Sequence, residues 1–165
     1  MKSILKSFIT LLLLLFVFQF SLETEAQPRL RFKARRVLRR TAVVIFSAQK
    51  DLKQNRVFTG QLSKAVAHQR FAKRLFFRGM YARAIHHSRR ARLLAFQVIK
   101  ANKGVVSKEW EPDAEEQIPG SSTPTDKQLD DEISKEMPDA ANLKDEDLVD
   151  SILQDVDVED LSGNE

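Results

Sequence analysis

The chain has 165 residues, 30% of them charged, and no cysteine, which excludes a disulfide scaffold and any thiolate-based site. Its formal net charge of +4 conceals segregation: residues 27–108 carry twenty-two Lys/Arg against the single acid Asp51, and residues 109–165 carry twenty Asp/Glu against Lys127, Lys135 and Lys144. A block near +21 followed by one near −17 speaks to association and steering, and not to chemistry.

Lys2 and Lys6, an almost unbroken apolar run over residues 8–20 and a polar stretch over residues 21–26 follow the order of a secretory signal peptide. Small Thr24 and Ala26 place the cut before Gln27, so an exported chain, periplasmic or secreted, is expected. The alternative is an uncleaved membrane anchor. Its thirteen-residue run is shorter than the roughly 20 that span a bilayer, although Arg29, Arg31, Lys33, Arg35, Arg36, Arg39 and Arg40 beyond it favour retention of the following segment inside.

The basic block, residues 27–108, reads as a helical domain. Val37, Leu38, Thr41, Ala42, Val44, Ile45, Ala48 and Leu52 recur at spacings of three and four, predicting a helix over residues 32–53 that overrides the local strand preference of Val43, Val44 and Ile45. Residues 55–60 form a loop in which Thr59 is the expected cap. A second helix over residues 61–77 turns Leu62, Ala65, Val66, Gln69, Ala72, Leu75 and Phe76 inward, and Gly79 ends it. A third, over residues 81–101, buries Ala84, Ile85, Ser88, Ala91, Leu94, Ala95 and Val98 and closes at Asn102, Lys103 and Gly104. With fewer than 80 residues able to build a core, such a domain is marginal by itself.

Residues 109–142 combine Pro112, Pro119, Pro124, Pro138 and Gly120 with abundant acids and are expected to be a disordered linker. Trp110 at the junction is expected to fold back onto the helices. Over residues 143–161, Leu148, Val149, Ile152, Leu153 and Val156 share one side of a short acidic amphipathic helix, with Asn142 available as its cap, and residues 162–165 are an expected disordered terminus. Those five apolar residues are the candidate docking motif of the tail, whose target is the chain's own basic bundle, another subunit or an unrelated receptor. The fold class is therefore all-α: a small three-helix bundle, or a helical hairpin with a preceding helix, followed by a disordered acidic tail.

Residues 64–77 overlay residues 83–96 at an offset of nineteen, matching Ala65 to Ala84, His68 to His87, Ala72 to Ala91, Leu75 to Leu94 and Phe77 to Phe96. Small alanines across this hairpin allow close approach and leave Arg and Lys on the outside. The order Ala72, Leu75, Gly79, Tyr81, Ala84 and Ala91, with Ser88 where an aromatic is often found, resembles a single tetratricopeptide-type unit over about residues 65–98. The proline that customarily closes that unit is missing, with Phe96 in its neighbourhood, and no second unit follows. The hairpin is also similar to alanine-rich helical hairpins of small bacterial envelope proteins. Either resemblance implies a helical adaptor and neither implies an enzyme.

No catalytic constellation is legible. Ser47, Ser63 and Ser88 lack a nucleophile motif, the single acid of the basic block leaves no carboxylate pair there, and Gly60, Gly79 and Gly104 stand alone. His68 and His87 occupy matching positions on antiparallel helices and could face each other, but two imidazoles are too few for a structural zinc site. No metal, cofactor or catalytic residue is assigned, and a non-enzyme is expected.

The candidate anion-binding residues are Arg35, Arg36, Arg39, Arg40, Arg70, Lys73, Arg74, Arg89, Arg90 and Arg92, because the planar guanidinium fork suits phosphate and carboxylate. Phe32, Phe71, Phe77 and Phe96 lie among them and are read mostly as core. The partners that fit are an anionic polymer, an anionic membrane surface or an acidic protein, with the acidic tail as an intramolecular mask. The alternative is an envelope component that self-associates through its opposite-charge blocks.

Overall fold

Two apolar clusters joined by a polar layer organise the fold. The computed structural model describes residues 26–118 and 122–157, so the expected signal peptide falls outside it except for Ala26, as does the terminus 162–165. Helices α1 (Ala26–Asn55), α2 (Gln61–Phe77) and α3 (Tyr81–Lys103) pack on one another, and no strand occurs among the described residues. Every inward position expected on these three helices is buried, and Val43 to Ile45 are helical, because the longer period aligns a face that a strand would have split. The first helix begins earlier than expected. Its added residues include Leu30, which packs against the cluster that contains Val37, Phe71 and Phe76.

Helix α2 ends in a Schellman motif: Gly79 lies at φ +76°, its N–H donates to Phe76 O and the Met80 N–H to Leu75 O. Gly104 at φ +84° ends α3 in the same left-handed conformation. The start of α2 differs from expectation. Gly60, not Thr59, is its cap residue and offers no side chain; the buried carboxylate of Asp145 accepts instead from the N–H groups of Thr59 (3.2 Å), Gly60 (2.7 Å) and Ser63 (2.8 Å). An acid 85 residues downstream of Gly60 thus supplies the negative charge that a helix N-terminus favours.

Where a disordered linker is expected over residues 109–142, the described residues of the acidic half form turns and short helices. Short 3₁₀ turns at Lys108–Trp110 and Ala114–Glu116 lead to α4 (Asp126–Glu136), a further 3₁₀ turn at Pro138–Asn142 and a single-turn helix α5 (Asp145–Leu148). Composition weighed this segment's own apolar content, whereas the bundle provides the other half of each contact. Trp110 joins the cluster of Leu94 and Val98, while Ile118, Ile133 and Met137 join that of Phe71 and Ile85. A capping box of Thr125 and Gln128 starts α4.

Of the helix expected over residues 143–161, only Asp145–Leu148 is helical among the described residues, residues 158–161 lying outside them, and Asn142 lies in the preceding turn instead of capping it. Gln49 Nε2 donates to Leu148 O (2.5 Å) and Ser151 O (2.9 Å), engaging carbonyls that a continuing helix would use for itself. The chain turns there, so Leu148, Val149, Leu153 and Val156 enter the core while Ile152 is 82% exposed. Phe71 and Phe96 are buried, whereas Phe32 and Phe77 face outward.

Candidate functional site, an acidic strap over a basic bundle

The polar layer is where the two charge blocks meet inside the protein. Position 92 continues the inner series Ile85, Ser88, Arg92, Ala95 and Ile99, so α3 delivers a guanidinium into the core; its side chain is 0% exposed. This corrects the expectation that the hairpin's arginines stay outside. Arg92 Nε donates to Thr41 Oγ1 (3.1 Å) and Nη1 to Glu116 Oε1 (2.9 Å) and Oε2 (3.1 Å). Thr41 donates to Ser88 O, Ser88 Oγ donates to Gln69 Oε1, and Gln69 Nε2 donates to Leu38 O, so the layer ties all three helices together. Burial pushes the Arg92 pKa below the ordinary arginine value, and Glu116 opposes that shift.

Around this core pair the segment 109–118 lies along α1. Arg40 Nη1 reaches Asp113 Oδ2 (2.5 Å) and Glu116 Oε1 (2.7 Å), while Nη2 donates to the carbonyls of Glu109 (2.9 Å) and Glu111 (3.1 Å). Arg36 pairs with Glu115, and Lys33 Nζ donates to Gln117 O (2.7 Å). On the other side of the bundle, α4 crosses α2 and α3. Arg90 holds Asp130 through two bonds, Nε to Oδ1 (2.9 Å) and Nη2 to Oδ2 (2.8 Å), and its Nη1 meets Asp126 Oδ2 (2.8 Å). Arg83 pairs with Glu132, and Leu129 and Ile133 are the buried apolar residues of α4. Further along, Lys53 meets Asp150 (2.7 Å), Arg70 meets Asp155 (2.6 Å) and Lys73 donates to Asp157 O.

Beneath α4 sits an imidazole pair. His68 Nδ1 and His87 Nδ1 are 3.1 Å apart with stacked rings, as their matching positions anticipated, and Phe71 meets the His87 ring edge-on. The outer nitrogens face carboxylates of α4: His68 Nε2 is 3.1 Å from Asp130 Oδ1, and His87 Nε2 is 3.3 Å from Glu132 Oε2. Burial, reinforced by His87, pushes His68 down to about 4, against the pull of Asp130. His87 is lowered by burial against the opposing pull of Glu132, and His86 is lowered by burial and the neighbouring Arg89. Burial acts to raise Asp130 and Glu132, yet Arg90 and Arg83 leave both lowered overall. A cavity of about 350 Å³ opens beside His68, lined also by Lys64, Ala67, Asp130, Ile133, Ser134 and Met137.

The His68–Asp130 dyad does not extend to a nucleophile. Both imidazole nitrogens are engaged, and Ser134 Oγ donates to the carbonyl of Asp130 on its own helix. Among the described residues, no cluster of three or more His, Asp or Glu is arranged to hold a metal ion.

Of the candidate anion-binding residues, Arg36, Arg40, Arg70, Arg90 and Arg92 meet carboxylates of the same chain. Lys73 meets a backbone carbonyl, Arg35 and Arg89 are half-buried, and Arg39 and Arg74 are exposed. Sequence reading missed the roles of Glu116, Asp145, Asp130 and Glu132. The signal for Arg92 was present in its place on the inner stripe of α3; the acids carried none, since each acts across a long chain separation.

The chain matches no protein-family model, no curated protein and no solved structure.

Proposed function

We propose that this is a non-enzymatic, exported interaction protein whose arginine-rich helical surface binds an anionic partner and is masked by its own acidic segment. The observation that carries the reading is that the arginines best suited to an external anion, Arg36, Arg40, Arg70 and Arg90, are each engaged by a carboxylate of residues 109–157. The adaptor role implied by the helical-hairpin resemblance agrees with it. The strap is not uniform. Glu116 and Asp145 are built into the interior, whereas α4 lies over the hairpin on partly exposed ion pairs with only its Leu129 and Ile133 buried, so α4 is the part an external anion displaces.

The test neutralises α4 without removing core residues, as Asp126→Asn/Asp130→Asn/Glu132→Gln, and measures binding to a short duplex DNA as a generic polyanion over a salt series. The variant is expected to bind at least tenfold tighter than wild type, with a log–log salt slope steeper by about 2 as Arg83 and Arg90 become available. Equal weak binding by both proteins overturns the masking reading. Self-association of wild type at low salt that dissolves at high salt, read by light scattering, replaces it with the envelope-assembly alternative.

A further inference from the structure

The hydrogen-bond chain under α4 is one proton short. Three links, Asp130 to His68, His68 to His87 and His87 to Glu132, each require one N–H proton, and two neutral imidazoles supply two. The longest of the three links is at His87 Nε2, which is buried with Glu132 Oε2 3.3 Å away and outside good hydrogen-bond geometry. A third proton would complete the chain, but it would place a cation in a crowded setting. From α2 the pair is faced by Lys64 at the cavity rim; from α3 by Arg83, His86 and Arg90; and from α4 by Asp126, Asp130 and Glu132. The carboxylates of Asp130 and Glu132 are already matched by Arg90 and Arg83, so the neutral imidazoles leave the cluster balanced and a proton unbalances it. With α4 lifted away, the burial that keeps the rings neutral is reduced.

We propose that the α2–α3 face beneath α4 is a proton-gated anion site: mild acid releases α4 from Arg83 and Arg90, and His68 and His87 join them as cations that receive a phosphate-bearing polymer. The gate rests on the masking reading above and adds what operates it. The protonation that opens the site also raises its positive charge, so opening and affinity change together.

The experiment follows hydrogen–deuterium exchange of the protein at pH 7 and pH 5, corrected for intrinsic rates, with residues 126–136 compared against the core of α3 as a monitor of global unfolding. His68 titrates near 4 when docked, and release relieves its burial while His87 stays beside it, so the opening equilibrium of α4 rises by up to about 20-fold between the two pH values, the limit set by full recovery of the ordinary 6.5. His68→Gln keeps an amide beside Asp130 and cannot titrate; the expected result is a much flatter pH dependence, whatever the absolute docking strength of the variant. His87→Gln flattens it in the same sense. Wild-type opening of α4 that changes less than twofold, or the full wild-type change retained in both variants, overturns the gate. Duplex DNA binding measured at the same two pH values separates the two ideas. If α4 opens but binding does not strengthen, the anion-site part of the proposal and the masking reading both fall while the proton response of α4 stands.

Discussion

Replacing Glu116 tests whether the meeting of the two charge blocks is structural at its centre. The Arg92 and Glu116 side chains are 0% and 2% exposed, and Glu116 supplies both carboxylate contacts to Nη1, at 2.9 and 3.1 Å. Glu116→Gln keeps the shape and one acceptor but leaves a buried guanidinium without its counter-charge, which costs about 3–5 kcal/mol. Most of the marginal stability of a domain this size would be lost, with Tm lowered by about 10 °C. The neighbouring Arg36–Glu115 pair is the internal control. Its side chains are 55% and 72% exposed, so Glu115→Gln costs under about 1 kcal/mol. Urea unfolding followed by helical circular dichroism measures both, and the apolar double substitution Arg92→Met/Glu116→Leu is expected to recover most of the loss. Equal small effects of Glu116→Gln and Glu115→Gln would refute the argument, because they would mean that Arg92 finds water or another anion when Glu116 is gone.

Asp145→Ala removes the acceptor of three backbone N–H groups at the start of α2 and is expected to cost about 2–4 kcal/mol, with Asp145→Asn costing less, as read by the urea midpoint. The same assay separates two adjacent residues of the candidate docking motif: Leu153→Ala costs about 2–4 kcal/mol from the core, and Ile152→Ala, at a largely exposed position, costs close to nothing. Stability also falls in acid. The docked His68 pKa of about 4 lies below its ordinary 6.5, so the neutral ring contributes stability that is present above pH 6.5 and lost as pH falls toward 4, about 2 kcal/mol of it between pH 7 and 5. The lowered Asp130 and Glu132 act in the same direction at still lower pH, and His68→Gln removes the first of these losses but not the second.

Periodicity alone determined α1 to α3, because a helix face is a local property: Val37 to Leu52, Leu62 to Phe76 and Ala84 to Val98 each align apolar residues at helical spacing, and Gly79 and Gly104 mark their ends. The facing of His68 and His87 was legible for the same reason, since equal positions on the two arms of a tight hairpin meet. Charge segregation likewise pointed to pairing between the halves. Which carboxylate meets which arginine was decided only in three dimensions: Glu116 reaches Arg92, Asp130 reaches Arg90 and Asp145 reaches the start of α2 across separations of 24, 40 and 82 to 86 residues. A count of acids and prolines read residues 109–142 as unable to order themselves, and by themselves they bury little. Their order comes from the apolar surface and unpaired cations that the helices present, so it belongs to the assembled fold and not to the segment.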